Sequence, residues 1–236
     1  MANERLPVPA GWRNADLYLE PALDRVWTAL RDTRTPERLA RYYTPDANFA
    51  GATFGGHGES DPEAVDERDL LAVTLLDVKI PPRTVRALLQ PGPTRDRLHE
   101  LLAADRLPPD ACLWEVTPEV LANMAELYEF LRALVPPTRE RYEVNWATAA
   151  KLCARKRPNL FPVRDEVVCR YLRLWPSRYQ VDWQVFAWVM GHDDVREQLT
   201  RLVERVAAAP GADVGEVGAL LRHLDVAVWM HAPHRF

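Results

Sequence analysis

Cysteine is scarce in this sequence, and its positions do not favour disulfide bonds. The three cysteines, Cys112, Cys153 and Cys169, are widely spaced, and two of them fall within predicted helices. Small secreted proteins that depend on disulfides have a much denser pattern. The N-terminal residues also lack an uninterrupted apolar segment of the kind that forms a secretion signal. We therefore expect the protein to lie in a reducing cytoplasm.

Long apolar runs and strand patterns are also missing. No run approaches the roughly 20 apolar residues that cross a bilayer, although 47% of the residues are apolar. We expect a soluble globular protein with no membrane partner. Strict alternation of apolar and polar residues, the signal for a strand, does not extend over any useful length. The fold class expected from this is all-α.

The sequence contains none of the common catalytic motifs. Gly-x-Ser-x-Gly, Cys-x-x-Cys and a nucleotide-phosphate loop are all absent, so hydrolase, redox and nucleotidase functions have no support in a motif. The six histidines are scattered, and none stands at metal-ligand spacing from a cysteine or an acid within one helix. We expect no structural metal and no cofactor. Whether the protein is an enzyme is left open.

Proline and capping residues divide the chain into helices. Residues 1–20 are expected to form an N-terminal arm, and 21–236 a single two-lobed helical domain with a candidate lobe boundary near 135–138. The segment 70–78 is apolar almost all round, which predicts that the helix near 66–78 is buried on most sides. Helices are expected to begin near Pro21, Pro36, Asp66, Pro81, Thr94, Thr117, Asn145, Asp165, Asp193 and Asp213.

A glycine-rich segment interrupts this helical pattern at 47–62. It holds four of the ten glycines and is expected to be a loop or an irregular hairpin. His57 and the two phenylalanines, Phe49 and Phe54, are candidates to line a ligand pocket. The alternative is a plain surface loop.

The most informative stretch is 145–168. Apolar residues recur at helical spacing from Trp146 to Cys153, and Pro158 ends the helix near Arg157. After a short crossing, Asp165 is placed to accept backbone N–H bonds at the start of the next helix. We expect 145–175 to form one edge of a cleft.

Positive charge is concentrated in the same region. Residues 138–178 carry ten Lys or Arg and four Asp or Glu, within a chain whose net charge is −4. Clustered cations favour DNA or another polyanion as partner, and a solvated helix face is the alternative. An acidic protein is a further candidate partner. The expected nucleic-acid contacts are Lys151, Arg155, Lys156, Arg157 and Arg164.

Two resemblances follow from these motifs. Together with the central stretch, residues 69–76 (DLLAVTLL) and 224–230 (LDVAVWM) resemble an uncharacterised bacterial family known only as a domain of unknown function. More distantly, 146–149 (WATA) through 162–165 (PVRD) resemble the core of the helix-hairpin-helix DNA glycosylase superfamily. The second resemblance implies a two-lobed helical fold in which Asp165 is the catalytic carboxylate.

The sequence departs from the glycosylase pattern at three places. Arg164 adds one residue between Val163 and the acid, and the Gly-x-Gly hairpin that grips phosphate is missing. The position of the lyase lysine falls at Asn145 or Trp146, so Lys151 comes about a turn and a half later. Lys151 is instead a candidate phosphate contact, an ion-pair partner of Asp165 or a surface residue.

Three functions are compatible with the sequence. The first is a nucleic-acid-associated module with a glycosylase-like fold and little or no catalysis. The second is a helical protein that binds another protein or a small ligand. The third is a base-excision enzyme that uses Asp165, whose alternative role is simply to cap a helix.

Overall fold

The computed structural model describes residues 5–56, 61–134, 144–175 and 178–233. These residues form α-helices and one short 3-10 helix at Leu113–Glu115, with no strand among them. The prediction of an all-α fold is confirmed. The twelve α-helices of the described residues are α1 (Asp16–Arg31), α2 (Thr35–Tyr42), α3 (Thr53–Gly56), α4 (Glu67–Thr74), α5 (Pro82–Leu89), α6 (Pro93–Leu102), α7 (Pro118–Leu134), α8 (Val144–Lys156), α9 (Glu166–Tyr171), α10 (Tyr179–Gly191), α11 (Asp193–Ala207) and α12 (Leu220–His231).

Several helices begin at the capping residues that the sequence indicates. Asp66 accepts hydrogen bonds from the backbone N–H of Arg68 and Asp69, and the Asp69 carboxylate accepts one from the Asp66 N–H. This reciprocal capping box satisfies donors that the first turn of α4 otherwise leaves open. At α7 the hydroxyl of Thr117 accepts from the Val120 N–H at 3.3 Å. These starts follow from local sequence alone.

The helices pack around one continuous apolar core. Helix α8 packs against α7 on one side and α4 on the other, while α12 packs against α2, α9 and α11. The ring of Trp183 on α10 lies within 6 Å of the Tyr128 and Phe161 rings, with centroid distances of 5.8 and 5.5 Å. Trp183 and Phe186 lie in the core, whereas Trp175 is exposed.

Helix α4 is less buried than its composition predicted. It ends at Thr74, and the side chains of Leu71 and Leu75 are 51% and 44% exposed. The expectation of a helix buried on most sides is therefore wrong. The reason is that α8 and α3 cover the face that carries Asp69, Leu70 and Val73 and leave Leu71 and Leu75 exposed.

Two predicted helix starts are also wrong. Helix α1 begins at Asp16, where Asn14 accepts a hydrogen bond from the Asp16 N–H, and Pro21 lies inside it. Helix α12 begins at Leu220, because the chain after Asp213 first makes a turn in which the Asp213 side chain accepts from the Gly215 N–H. Gly215 has a positive φ of 67°, which a helix does not allow.

The division of the chain into an N-terminal arm at 1–20 and a two-lobed domain at 21–236 stays a prediction. The candidate lobe boundary near 135–138 lies outside the described residues. Within the described ranges, none of the helices combines the length and the apolar character needed to span a bilayer.

Candidate functional site

A cleft lies where α2, α8, the start of α9 and α12 meet. Its volume is about 570 Å³, which is in the range of small-molecule pockets. The central stretch contributes one edge, and the loops at 48–50 and 75–77 contribute the rim. The residues that line it are Tyr42, Asn48, Phe49, Ala50, Leu75, Leu76, Asp77, Lys151, Val163, Asp165, Val167, Arg222, Asp225, Val226 and Trp229.

Asp165 lies in this cleft and also caps a helix. One carboxylate oxygen accepts a hydrogen bond from the Val167 N–H at 2.8 Å, at the start of α9. The other oxygen is 3.8 Å from the Lys151 ammonium. The side chain is only partly buried, so a ligand in the cleft can reach it. A capping role and a role towards a ligand are therefore compatible in this geometry.

The residue directly before Asp165 has a left-handed backbone. Arg164 has a φ of 55°, and its side chain is fully buried. The guanidinium donates to the Asp182 carboxylate at 2.7 and 3.0 Å and to the Tyr128 hydroxyl at 3.0 Å. Val163 and Asp165, on either side of it, both line the cleft. Arg164 thus anchors this turn to the core.

Lys151 is a buried lysine at the floor of the cleft. Its side chain is 5% exposed, and its ammonium donates to the Leu76 carbonyl at 2.5 Å. Burial lowers the pKa of Lys151, and the nearby Asp165 and Asp225 carboxylates act in the opposite direction. The ion pair between Lys151 and Asp165 is present at 3.8 Å, and a surface position is wrong; a phosphate contact by Lys151 stays a prediction.

A second charged pair faces Lys151 from α12. Arg222 donates to Asp225 at 2.7 Å and to the Tyr42 hydroxyl. Burial raises the pKa of Asp225 to about 6, although the Arg222 charge opposes that rise. Only one of the two Asp225 oxygens is used, since the other has no hydrogen-bond partner among the described residues.

Aromatic rings form one wall of the cleft. The rings of Tyr42 and Phe49 are stacked, with centroids 5.3 Å apart and an angle of 22° between their planes. The Trp229 ring meets Phe49 edge-on at 5.9 Å. Because aromatic faces pack well against other planar rings, this wall is suited to a flat ligand.

The other predicted nucleic-acid contacts of α8 lie inside the protein. The side chains of Arg155 and Lys156 are 1% and 2% exposed, and both contact Asp69 at 2.9 and 2.7 Å. Arg155 also donates to the carbonyls of Phe54 and Gly55. The alternative prediction, that these residues belong to a solvated helix face, is therefore wrong.

Arg157 is buried in the same way, but its partners are backbone carbonyls. It donates to Leu107, Leu102 and Pro62 at 2.7, 2.6 and 2.6 Å. Burial lowers the pKa of Arg157, with Glu63 and Asp61 opposing the effect. Like Arg164, it joins segments that are distant in sequence. Contact of these basic residues with nucleic acid stays a prediction.

Sequence reasoning missed the α12 side of the cleft. Arg222, Asp225 and Trp229 were not predicted as site residues, although charged residues within the apolar stripe of α12 are the signal that marks them. The glycine-rich loop is only partly a pocket wall, since Phe49 lines the cleft and Phe54 a smaller pocket of about 260 Å³. His57 lies outside the described residues.

No metal-binding group is evident in the part of the chain that the structure describes. Groups of three or more His, Cys, Asp or Glu side chains with the spacing to hold an ion are absent from it. The residues that line the cleft can supply hydrogen bonds, ion pairs and aromatic stacking.

Comparison with known proteins places the chain in a family without an assigned activity. The model of a family of unknown function (DUF6308) matches residues 35–232, a range that includes every residue lining the cleft. No curated protein and no solved structure matches the chain significantly. The chain belongs to this family of unknown function, which confirms the resemblance to such a family.

Proposed function

We propose that this member of a family of unknown function binds a small molecule with a planar ring in the cleft between α8 and α12. The observation that carries the proposal is the combination of a stacking wall and buried charged groups around one cavity of about 570 Å³. Apolar pockets with a few convergent polar groups are the usual form of ligand sites.

The buried charges support a ligand site more strongly than a structural role alone. Burial in the cleft wall disfavours the charged forms of Lys151, Asp225 and Arg222. The lowered pKa of Lys151 and the raised pKa of Asp225 indicate this. Charged groups with perturbed pKa values in a cleft are typical of functional sites. By contrast, Arg164 and Asp182 form an ion pair in the core, and neither of them lines the cleft.

The test is binding of planar aromatic fragments, measured by ligand-observed nuclear magnetic resonance. Fragments that bind the wild type should lose binding in Val167→Trp, because Val167 lines the cleft and the indole fills it. Val120→Trp is the matched control, since Val120 is also a partly buried valine in the first turn of a helix but lies outside the cleft. Binding that survives Val167→Trp would place the ligand elsewhere and overturn the proposal.

A second candidate, base excision from DNA, is favoured by one specific observation. Asp165 lies in the same cleft as Lys151 and the aromatic wall, which is the setting that a flipped base requires. A carboxylate there stabilises positive charge that develops on the sugar as the base leaves. The glycosylase-like core and an association with nucleic acid belong to this candidate.

Release of free base from damaged duplexes distinguishes this candidate. If Asp165 is catalytic, Asp165→Asn should reduce release by orders of magnitude while the fold persists, because Asn caps a helix about as well as Asp. Salt-dependent binding to single- and double-stranded DNA tests the association by itself. If the wild type releases no base over a broad panel, the enzymatic candidate is refuted and ligand binding stands alone; we expect that result.

A further inference from the structure

The Asp225 carboxylate is an incompletely used acceptor in the wall of the cleft. Its side chain is 4% exposed, and one oxygen accepts from Arg222 at 2.7 Å. The second oxygen has no hydrogen-bond partner among the residues that the structure describes. A buried acceptor without a donor is unfavourable, and the great majority of such groups in proteins are satisfied.

The two cations near Asp225 also donate to other acceptors. Arg222 divides its donors between Asp225 and the Tyr42 hydroxyl. Lys151 donates to the Leu76 carbonyl and lies 3.8 Å from Asp165. Neither side chain donates to the second Asp225 oxygen, so a molecule in the cleft can supply the missing donor.

We infer, resting on the proposed ligand-binding function, that Asp225 selects the ligand and that the ligand is a planar ring compound presenting an N–H donor. Amidines, amides and amino-substituted nitrogen heterocycles have this chemistry. Asp225 and Trp229 are one turn apart on α12 and both line the cleft. Residues at this spacing lie about 6 Å apart on one helix face, so a ring against Trp229 has its edge near Asp225.

The charge balance of the cleft points the same way. Three carboxylates line it, from Asp77, Asp165 and Asp225, and two cations, from Lys151 and Arg222. Each cation already contacts a carboxylate. No positive charge is left over for an anionic ligand, whereas a neutral or cationic donor improves the balance.

An unpartnered carboxylate oxygen is by itself insufficient, as Asp182 shows. Asp182 is also buried beside an arginine, also has one oxygen without a partner among the described residues, and burial raises its pKa to about 6 as well. It does not line the cleft. This makes Asp182→Asn a matched control for Asp225→Asn.

The test compares benzamidine, benzamide and benzoate, which share one ring but differ in donors and charge. Calorimetry and ligand-observed nuclear magnetic resonance on the full chain should show benzamidine and benzamide binding at least tenfold more tightly than benzoate, as expected for a hydrogen bond to a charged group. Asp225→Asn should remove most of the benzamidine preference, and Asp182→Asn should retain it.

A measurement on the wild type avoids reliance on a variant that fails to fold. Affinity for benzamidine should rise as the pH increases through about 6, because burial raises the pKa of Asp225 to that value. The charged or titratable groups near Asp225 are Arg222, Lys151, Asp165, Asp77 and Tyr42 in the cleft, and Tyr43 and Cys169 outside its lining.

The outcomes separate this inference from the proposed function. Equal binding of the three compounds, a preference that survives in folded Asp225→Asn, or a pH-independent affinity for benzamidine would overturn the role of Asp225 while leaving the cleft as a ligand site. If none of the three binds, the proposed function and this inference are both refuted.

Discussion

Replacing Asp69 with alanine tests whether the buried ion pairs of Arg155 and Lys156 stabilise the fold. Asp69 is fully buried, and its carboxylate contacts Arg155 at 2.9 Å and Lys156 at 2.7 Å while also closing the capping box with Asp66. The substitution leaves two cations inside the protein without this carboxylate. Breaking a buried ion pair by removing one partner costs about 3–5 kcal/mol.

The expected loss is large enough for ordinary denaturation experiments. For a domain of this size about 1 kcal/mol changes the melting temperature by roughly 2–4 °C, so Asp69→Ala should lower it by about 6–20 °C. Urea unfolding followed by circular dichroism gives the free energy directly. Glu166→Ala is the control, because Glu166 forms an exposed pair with Arg170 that is worth at most about 1 kcal/mol.

The pH dependence provides a second check on Asp69. Burial alone raises the pKa of Asp69, but hydrogen bonds and charge from Lys156 and Arg155 outweigh it and hold the pKa below its ordinary value. A lowered folded-state pKa means that the stabilisation is present above about pH 4 and is lost as the pH falls through the folded value. If Asp69→Ala changes the free energy of unfolding by less than about 1 kcal/mol, this account of Arg155 and Lys156 is refuted.

Three further predictions concern other buried or capping groups. Arg157→Ala should destabilise by about 3 kcal/mol or more in urea, and Arg157→Lys should not restore it, because a single ammonium cannot serve three separate carbonyls; rescue by lysine would contradict this. Asp165→Ala should cost about 1 kcal/mol, whereas Asp165→Asn should remain near wild type in the same assay; equal losses in both would argue against a capping role. Because the folded-state pKa of Asp225 is raised to about 6, its contribution to the free energy of unfolding should fall by on the order of 2–3 kcal/mol as pH rises from about 4 to 6. The Asp225→Asn variant should lack that decline. If the free energy of unfolding depends on pH in the same way in the variant and the wild type, this prediction is refuted.

Helix content and most helix starts were determined by local sequence. Pro118 at the first position of α7, the capping box at Asp66 and the cap at Asp165 act within a single turn, so their effects do not depend on the rest of the chain. The failure at α4 has a different, non-local origin. Composition could not show that α4 lacks a cover over Leu71 and Leu75, because that depends on which elements pack there.

Local sequence determines much less about which residues line the cleft and which partners the buried cations have. The cation cluster of α8 was visible, but its partner Asp69 lies 86 positions from Arg155 in the chain, and the partner of Arg164 is on α10. A charge pattern without its partners cannot distinguish a surface that binds a polyanion from an ion pair in the core. Asp165 was predicted because its cap is local. The facing Asp225 was not predicted, because only the packing of α12 brings it to the cleft.

The sequence by itself therefore determined an all-α protein with a carboxylate at the start of α9. Only the tertiary structure decided that Arg155, Lys156, Arg157 and Arg164 are internal and that Lys151 and Asp225 line one cavity with Asp165. The physical reason is range: capping and helical periodicity act over three or four residues, whereas burial of a charge is decided by groups that folding brings from far along the chain.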